Sequence, residues 1–255
     1  MTRLPRRFIG PIRVAVVIAM IGVVEILCRT GVIDPFTMIA PSAMVVALVR
    51  ILKTGHIGAD AAFTLTNTLA AIAVSIVLGF ILGAVVHSLP RLRRVITPLL
   101  AAYYAVPTFV FYPVLIVLFG LNRLPLIAIG AALGVVGMMV STLDGLDRVP
   151  RVLLKTATAY RMTPFSVALR IKLPASAPQL FTGVKLAVTY SIIGTLAGEF
   201  ILSVAGLGRR LAIAYNDLDN PTMYGLLLLV LTTVVVLNAI VFHCEQRVYR
   251  RWQRT

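Results

Sequence analysis

Four stretches of this chain run for twenty residues or more without Asp, Glu, Lys or Arg: 61–90, 95–122, 124–143 and 221–244. A bilayer core is crossed by a helix of about 20 apolar residues, so each run is long enough to span. None shows the apolar-out, polar-in alternation in ten-residue segments that marks a membrane β-barrel. An open sheet is excluded because lipid leaves backbone polar groups unsatisfied. With two further runs, the pattern predicts an all-α membrane protein of about six helices: Val14–Cys28, Phe63–Val86, Ile96–Phe119, Leu124–Thr142, Leu180–Ser203 and Met223–His243.

Composition sharpens this picture. The 255 residues are 59% hydrophobic and 13% charged, against about 25% charged in soluble domains. The basic start before the first run resembles a signal peptide. However, no small-x-small cleavage site follows and Glu25 interrupts the apolar stretch, so a retained anchor is expected. The net charge of +15 is explained by where it falls. With the N-terminus inside, eighteen Lys and Arg lie on the inner side (3, 6, 7, 13, 91, 93, 94, 148, 151, 155, 161, 170, 172, 185, 247, 250, 251, 254). Six lie outside: Arg29, Arg50, Lys53, Arg123, Arg209 and Arg210. This bias predicts cytoplasmic termini and requires no nucleic acid. Cys28 and Cys244 fall on opposite sides and read as packing residues.

Two outer segments stand out. In 29–62, Pro41-Ser42 followed by Val45, Val46, Leu48, Val49 and Leu52 predicts a short amphipathic interfacial helix. Residues 204–222 form a polar loop, either solvated or facing a partner. Inside the spans, the pairs Gly79/Gly83, Gly130/Gly134 and Gly194/Gly198 predict close helix packing. The third helix carries Pro98, Pro107 and Pro113 among aromatic residues, which predicts bends, either static or in a helix lining a changing pathway. Tyr104, Pro107, Phe111 and Pro113 are its pathway candidates, with Glu199 of the fifth helix. A carboxylate within a span points to a functional site or to a structural hydrogen bond between helices. Glu25 lies nearer a helix end and reads as interfacial.

Residues 144–178 are too patterned for a plain loop. Val149, Val152, Leu153, Thr156, Ala157 and Tyr160 make one apolar helical face. Thr163-Pro164 is a good helix start, and Pro174 and Pro178 are expected to end the second short helix before the fifth span. A basic helix–turn–helix on the inner side results, suited to docking a soluble partner.

The segment Lys155 to Pro174 resembles the E-A-A-x-x-x-G loop of binding-protein-dependent ABC importer permeases, with nine residues separating it from I-x-L-P. Ala157, Ile171, Leu173 and Pro174 match, while Lys155, Thr156 and Arg161 stand where Glu, Ala and Gly are usual. Pro41-Ser42, Tyr104-Ala-Val-Pro107, the run from Pro113 to Gly120, and Gly198-Glu199 with Gly206-Leu-Gly208 look like the nitrate/sulfonate/taurine branch. The resemblance implies a single permease domain with a type I (MetI-like) core. Its parts would be a tail 1–13, a first span 14–28, an outer segment 29–62, spans two to four in 63–143, a coupling loop 144–178, spans five and six in 179–244, and a tail 245–255. It implies a bacterial inner-membrane location, a second permease copy or paralogue, two cytoplasmic ATPase subunits and an extracytoplasmic solute-binding protein. Lys155, Ala157, Tyr160, Arg161, Met162, Thr163, Leu173 and Pro174 would then meet the ATPase. Arg161 leaves three readings open: a rearranged turn, an acidic partner site, or a paralogue keeping the standard loop.

The chain has no G-x-x-x-x-G-K-[ST] phosphate loop, no H-E-x-x-H and no nucleophile–base arrangement. It is therefore expected to bind no cofactor itself, with ATP and Mg²⁺ held by the partner subunits. The expected role is a non-enzymatic pathway for a small anionic or polar organic solute. A self-contained secondary transporter or channel is the alternative, and would place ionisable residues in several spans, where only Glu25 and Glu199 qualify. A membrane-embedded enzyme would need a clustered catalytic constellation, which the sequence lacks.

Overall fold

The computed structural model describes residues 6–55, 57–103 and 106–252, and all regular structure among them is helical. Among the described residues four helices are long and apolar enough to cross a membrane: Gly58–Ser88, Arg123–Asp147, Pro164–Ile201 and Asn220–Arg247. A bent pair, Pro90–Tyr103 with Thr108–Phe119, makes a fifth if counted as one broken span. The first expected span lies within α1 (Arg6–Arg29), which is not among them. Its uncharged run is short and ends in Glu25 and Arg29.

The chain divides into two compact units. One comprises the residues up to Gly58 together with Arg210–Thr232. In it, α1 leads through a turn to α2 (Pro41–Lys53), the expected amphipathic helix with proline in its first turn. Glu25 caps α2: its carboxylate accepts the Ser42 N–H at 2.9 Å and the Ser42 hydroxyl at 2.6 Å, and Arg29 Nε at 2.6 Å. The start of α11 (Asn220–Trp252) is tied to the turn before α2. Asn220 Nδ2 donates to the Phe36 carbonyl at 2.7 Å and the Tyr224 hydroxyl to the Thr37 carbonyl at 2.5 Å. Gly225 lets α11 meet α2, since a Cβ there would lie 3.1 Å from the Leu48 nitrogen.

The other unit holds α3 (Gly58–Ser88, from Ala59), α4 (Pro90–Tyr103), α5 (Tyr112–Phe119), α6 (Arg123–Asp147), α7 (Arg151–Ala159), α8 (Pro164–Val167) and α9 (Leu173–Leu202). Here α6 is clasped between α3 and α9 by the glycines the sequence singled out. A Cβ on Gly79 would lie 2.7 Å from the Val135 carbonyl, and one on Gly194 would lie 2.7 Å from Gly130 Cα. Small side chains let the axes close, and dispersion between them replaces the hydrophobic drive that lipid does not supply. Buried hydroxyls then pair across the seams: Thr68 with Thr195 at 2.9 Å, and Ser75 with Ser191 at 2.9 Å.

Two expectations about prolines are corrected. The third span is not one kinked helix over Ile96–Phe119. It breaks after α4 into a 3-10 turn, Thr108–Phe111, and α5, with the pair bent by 92°. Pro107 is extended, with ψ of 90°, and so cannot carry the helix onward. Conversely, Pro174 and Pro178 do not end a helix. From Pro164 the chain stays helical through a π turn, Ala168–Lys172, and runs on to Leu202. The wider turn, with Leu173 N–H bonded to the Ala168 carbonyl, makes room where the Pro174 ring meets the preceding turn. The Ser176 hydroxyl then caps the Lys172 carbonyl at 2.8 Å.

The clasp is testable. Gly194→Val places side-chain atoms against the Gly130 backbone, which cannot move aside, and is expected to cost about 1–3 kcal/mol. Thermal unfolding of the purified protein in detergent reads this as a lowered midpoint. Gly22→Val, with nothing within 4 Å of the added Cβ, should leave the midpoint unchanged.

Candidate functional site

Helix α7 begins after Pro150 and ends at Tyr160, where the chain reverses. The reversal is a Schellman motif: Met162 N–H bonds the Ala157 carbonyl and Arg161 N–H the Thr158 carbonyl, both at 3.0 Å. The motif requires a left-handed residue just past the helix, and Arg161 supplies it with φ of +49°. A left-handed position is one that glycine adopts without strain, and arginine holds it here at about 1–2 kcal/mol. Thr163 then caps α8, its Oγ1 accepting the Ser166 N–H at 3.3 Å, with Pro164 first in the helix. This is the cap that the Thr-Pro pair predicts.

The surface so built is apolar and basic at once. Of the expected α7 face, only Val149 and Ala157 are buried, while Val152, Leu153 and Tyr160 are exposed. Tyr160 at 78%, Phe165 at 73% and Val152 at 72% are uncovered to an extent unusual for side chains of their size. Lys155, Arg148, Arg151, Arg161 and Arg170 are exposed among them. Met162 is half-buried beneath the turn, Thr163 is exposed, and Leu173 and half-buried Pro174 lie on the continuing helix beyond the π turn. The sequence-selected residues 155–163 thus form one contiguous turn, and Leu173 and Pro174 belong to the root of α9.

Beside this loop stands an ion pair that the sequence did not reveal. Arg93 grips Asp147 with both guanidinium nitrogens, one contact being 2.7 Å, and His87 Nδ1 lies 3.2 Å from Asp147 Oδ1. It links the start of α4 to the end of α6. The sequence offered no more than a few acidic residues, Asp144, Asp147 and Glu245, on a largely basic inner side.

The pathway candidates separate into two environments. Pro107, Phe111 and Pro113 are exposed around the 92° break, with Tyr112 buried between them against Leu126 and Ile129. Tyr104 lies outside the described residues. Glu199 is enclosed, 1% exposed, and accepts the Thr64 hydroxyl at 2.7 Å and the Gly208 N–H at 3.1 Å. Its geometry is that of a structural acceptor between helices.

The turn makes a prediction of its own. Arg161→Gly is expected to slow exchange of the Met162 amide by about 3–10-fold, because the left-handed strain disappears. Arg161→Ile should speed it by a similar factor, since a β-branched residue resists positive φ. Hydrogen exchange with mass spectrometry over 157–163 measures both.

Comparison with known proteins places these features. Residues 75–254 match the family model described as binding-protein-dependent transport system inner membrane component. The chain is 27% identical over 217 residues to the glycine betaine/proline betaine transport system permease protein ProW of Escherichia coli, covering 83% of this chain and 61% of that one. It is 28% identical to the formylaminopyrimidine transport permease protein ThiX of Halalkalibacterium halodurans and 26% identical to the riboflavin transport system permease protein RibX of Chloroflexus aurantiacus. These cover 60% and 64% of this chain, and 61% and 60% of theirs. This chain thus spans about three fifths of the length of each of these three relatives. In fold it resembles a chain from inward-facing MetNI methionine ABC transporter, with a TM-score of 0.59 at 18% identity, over 74% of this chain and 92% of that one. The family match covers well over half the sequence, with α6, α9 and the basic turn inside it: the chain belongs to the inner membrane components of binding-protein-dependent transport systems.

Proposed function

We propose that this chain is the membrane-spanning permease subunit of an ABC importer, and that the turn from Lys155 to Thr163 is the element through which a cytoplasmic ATPase drives it. The observation that carries this reading is the exposed, left-handed turn at Arg161 between two short helices, in the place where the family's E-A-A loop falls. Tyr160 and Phe165 would fill a cleft of the ATPase, and the surrounding cations would meet acidic residues at its rim. Arg161 stands where the family's glycine is usual, holds a left-handed conformation open to glycine, and adds a charge at the tip, which supports an acidic site on the partner.

In this reading the chain crosses the bilayer six times with both termini cytoplasmic, α1 and the broken α4–α5 pair included. The distribution of Lys and Arg supports that sidedness. Two such subunits would enclose the pathway, ATP binding would draw their loops together, and an outer binding protein would deliver solute. The solute class is small and polar; the relatives are named for betaines, a formylaminopyrimidine and riboflavin. Assignment to the nitrate/sulfonate/taurine branch rests only on the short motifs around Pro41, Tyr104, Pro113 and Glu199. A secondary transporter loses support, because the two carboxylates it would use, Glu25 and Glu199, are both engaged as acceptors of backbone N–H groups.

Docking of the turn is tested by Tyr160→Asp and Met162→Asp. Each places a carboxylate against a partner surface that now receives an apolar side chain, a penalty of about 1–3 kcal/mol or more. Uptake per ATP hydrolysed by the co-purified complex in proteoliposomes should fall by about fivefold or more, with the permease itself still folded. Coupling equal to wild type in both variants would remove the docking role.

A further inference from the structure

Glu199 is the most deeply enclosed ionisable group described, and it accepts hydrogen bonds from Thr64 and Gly208. Its surroundings define a task. The short helix α10 (Leu207–Asn216) follows Gly206, and the three backbone N–H groups at its start all point at side chains of longer helices. Gly206 N–H donates to Asp60 Oδ1 at 3.0 Å, Leu207 N–H to Thr64 Oγ1 at 2.8 Å, and Gly208 N–H to Glu199 Oε2 at 3.1 Å. Thr64 uses both capacities of its hydroxyl: it accepts from Leu207 and donates to the same Glu199 oxygen at 2.7 Å. Asp60 and Thr64 sit one turn apart on α3, and Glu199 is near the end of α9.

The backbone is shaped for this arrangement. Gly206 has φ of +110°, and a Cβ on it would lie 2.5 Å from the Glu199 carboxyl carbon, so the carboxylate lies flat against the glycine. A Cβ on Gly208 would lie 2.7 Å from the Leu196 carbonyl. The first turn of α10 is thus pressed onto α9 at two glycines and bonded to α3 and α9 by three side chains. Helix N-termini leave orphan donors, and a negative charge placed there is stabilising. A cap from one side chain would satisfy that need. Three acceptors from two spanning helices do more: they fix where α10 starts relative to both. Among the described residues Glu199 Oε1 has no hydrogen-bond partner, so the carboxylate is held through Oε2 by Thr64 and Gly208.

We propose that Glu199, Thr64 and Asp60 form a latch that holds the first residues of α10, 207–209, against α3 and α9 at the end of the permease opposite the Arg161 turn, and that this latch serves solute hand-over from the binding protein. The placement of α10 on the outer side rests on the function proposed above; the latch itself does not. Since α9 rises about 45 Å over its 30 residues, the latch and the loop that meets the ATPase are the two ends of one rod. Glu199 is then a positioning residue and touches no solute.

The test uses Thr64→Val, which keeps the side-chain shape while removing both hydrogen bonds, and Thr64→Ser, which keeps them. Hydrogen exchange of the full-length protein in lipid nanodiscs, read on peptides covering 203–210, should quicken about 3–10-fold in Thr64→Val. It should be unchanged in Thr64→Ser and unchanged over 151–163 in both. In proteoliposomes with the co-purified ATPase, Thr64→Val should retain basal ATP hydrolysis but lose most of its stimulation by its solute-loaded binding protein, and Thr64→Ser should restore the stimulation. Unaltered exchange at 203–210 in Thr64→Val overturns the latch. Quickened exchange with full stimulation overturns its part in hand-over. A wild-type complex that shows no stimulation at all counts against the importer reading and leaves the exchange result to decide the latch.

Discussion

The approach of α6 and α9 at Gly130 and Gly194 is the contact on which the rest of the larger unit depends. With backbone this close, the helices leave no room for a side chain at either position. Only then do Thr68 and Thr195, and Ser75 and Ser191, come within hydrogen-bond reach across the seam between α3 and α9. Hydroxyls buried in an apolar bundle cost free energy unless paired. The small residues and the polar rungs are thus a single solution, in which close packing makes the pairing possible and the pairing fixes the register.

The same constraint governs helix ends. Lipid offers no water to the orphan N–H groups of a short helix, so the protein supplies its own acceptors. Glu25 serves the start of α2 and Glu199 the start of α10. Each is a carboxylate inside an otherwise apolar stretch, and each secures a short helix that follows it in sequence. In both cases the carboxylate is engaged at a helix start.

Much of this was legible in the chain. The long apolar runs located α3, α6, α9 and α11, and the glycine pairs named the seam residues. Thr163-Pro164 marked the cap of α8, and Pro41 marked the first turn of α2. What failed had a physical cause. Proline was read as a helix breaker at 174 and 178, but a π turn absorbs it there, and no local sequence rule distinguishes that outcome from a break. At 107 the reverse held, and a bend became a rupture. For Glu199 the chain offered a functional site or a structural hydrogen bond without naming a partner, because Thr64 and Gly208 are brought to it only by the fold. The Arg93–Asp147 pair was hidden for the same reason.

The π turn at Ala168–Lys172 has one more consequence. Each such turn inserts about one residue beyond the α-helical count, so everything downstream is rotated by roughly 100° about the axis. The aim of Ser191, Gly194, Thr195 and Glu199 at their partners is set by that inserted residue, some twenty to thirty positions away along the helix. A sequence shortened by one amino acid there would keep its hydropathy profile and every span, yet it would present the wrong flank of α9 to the whole bundle.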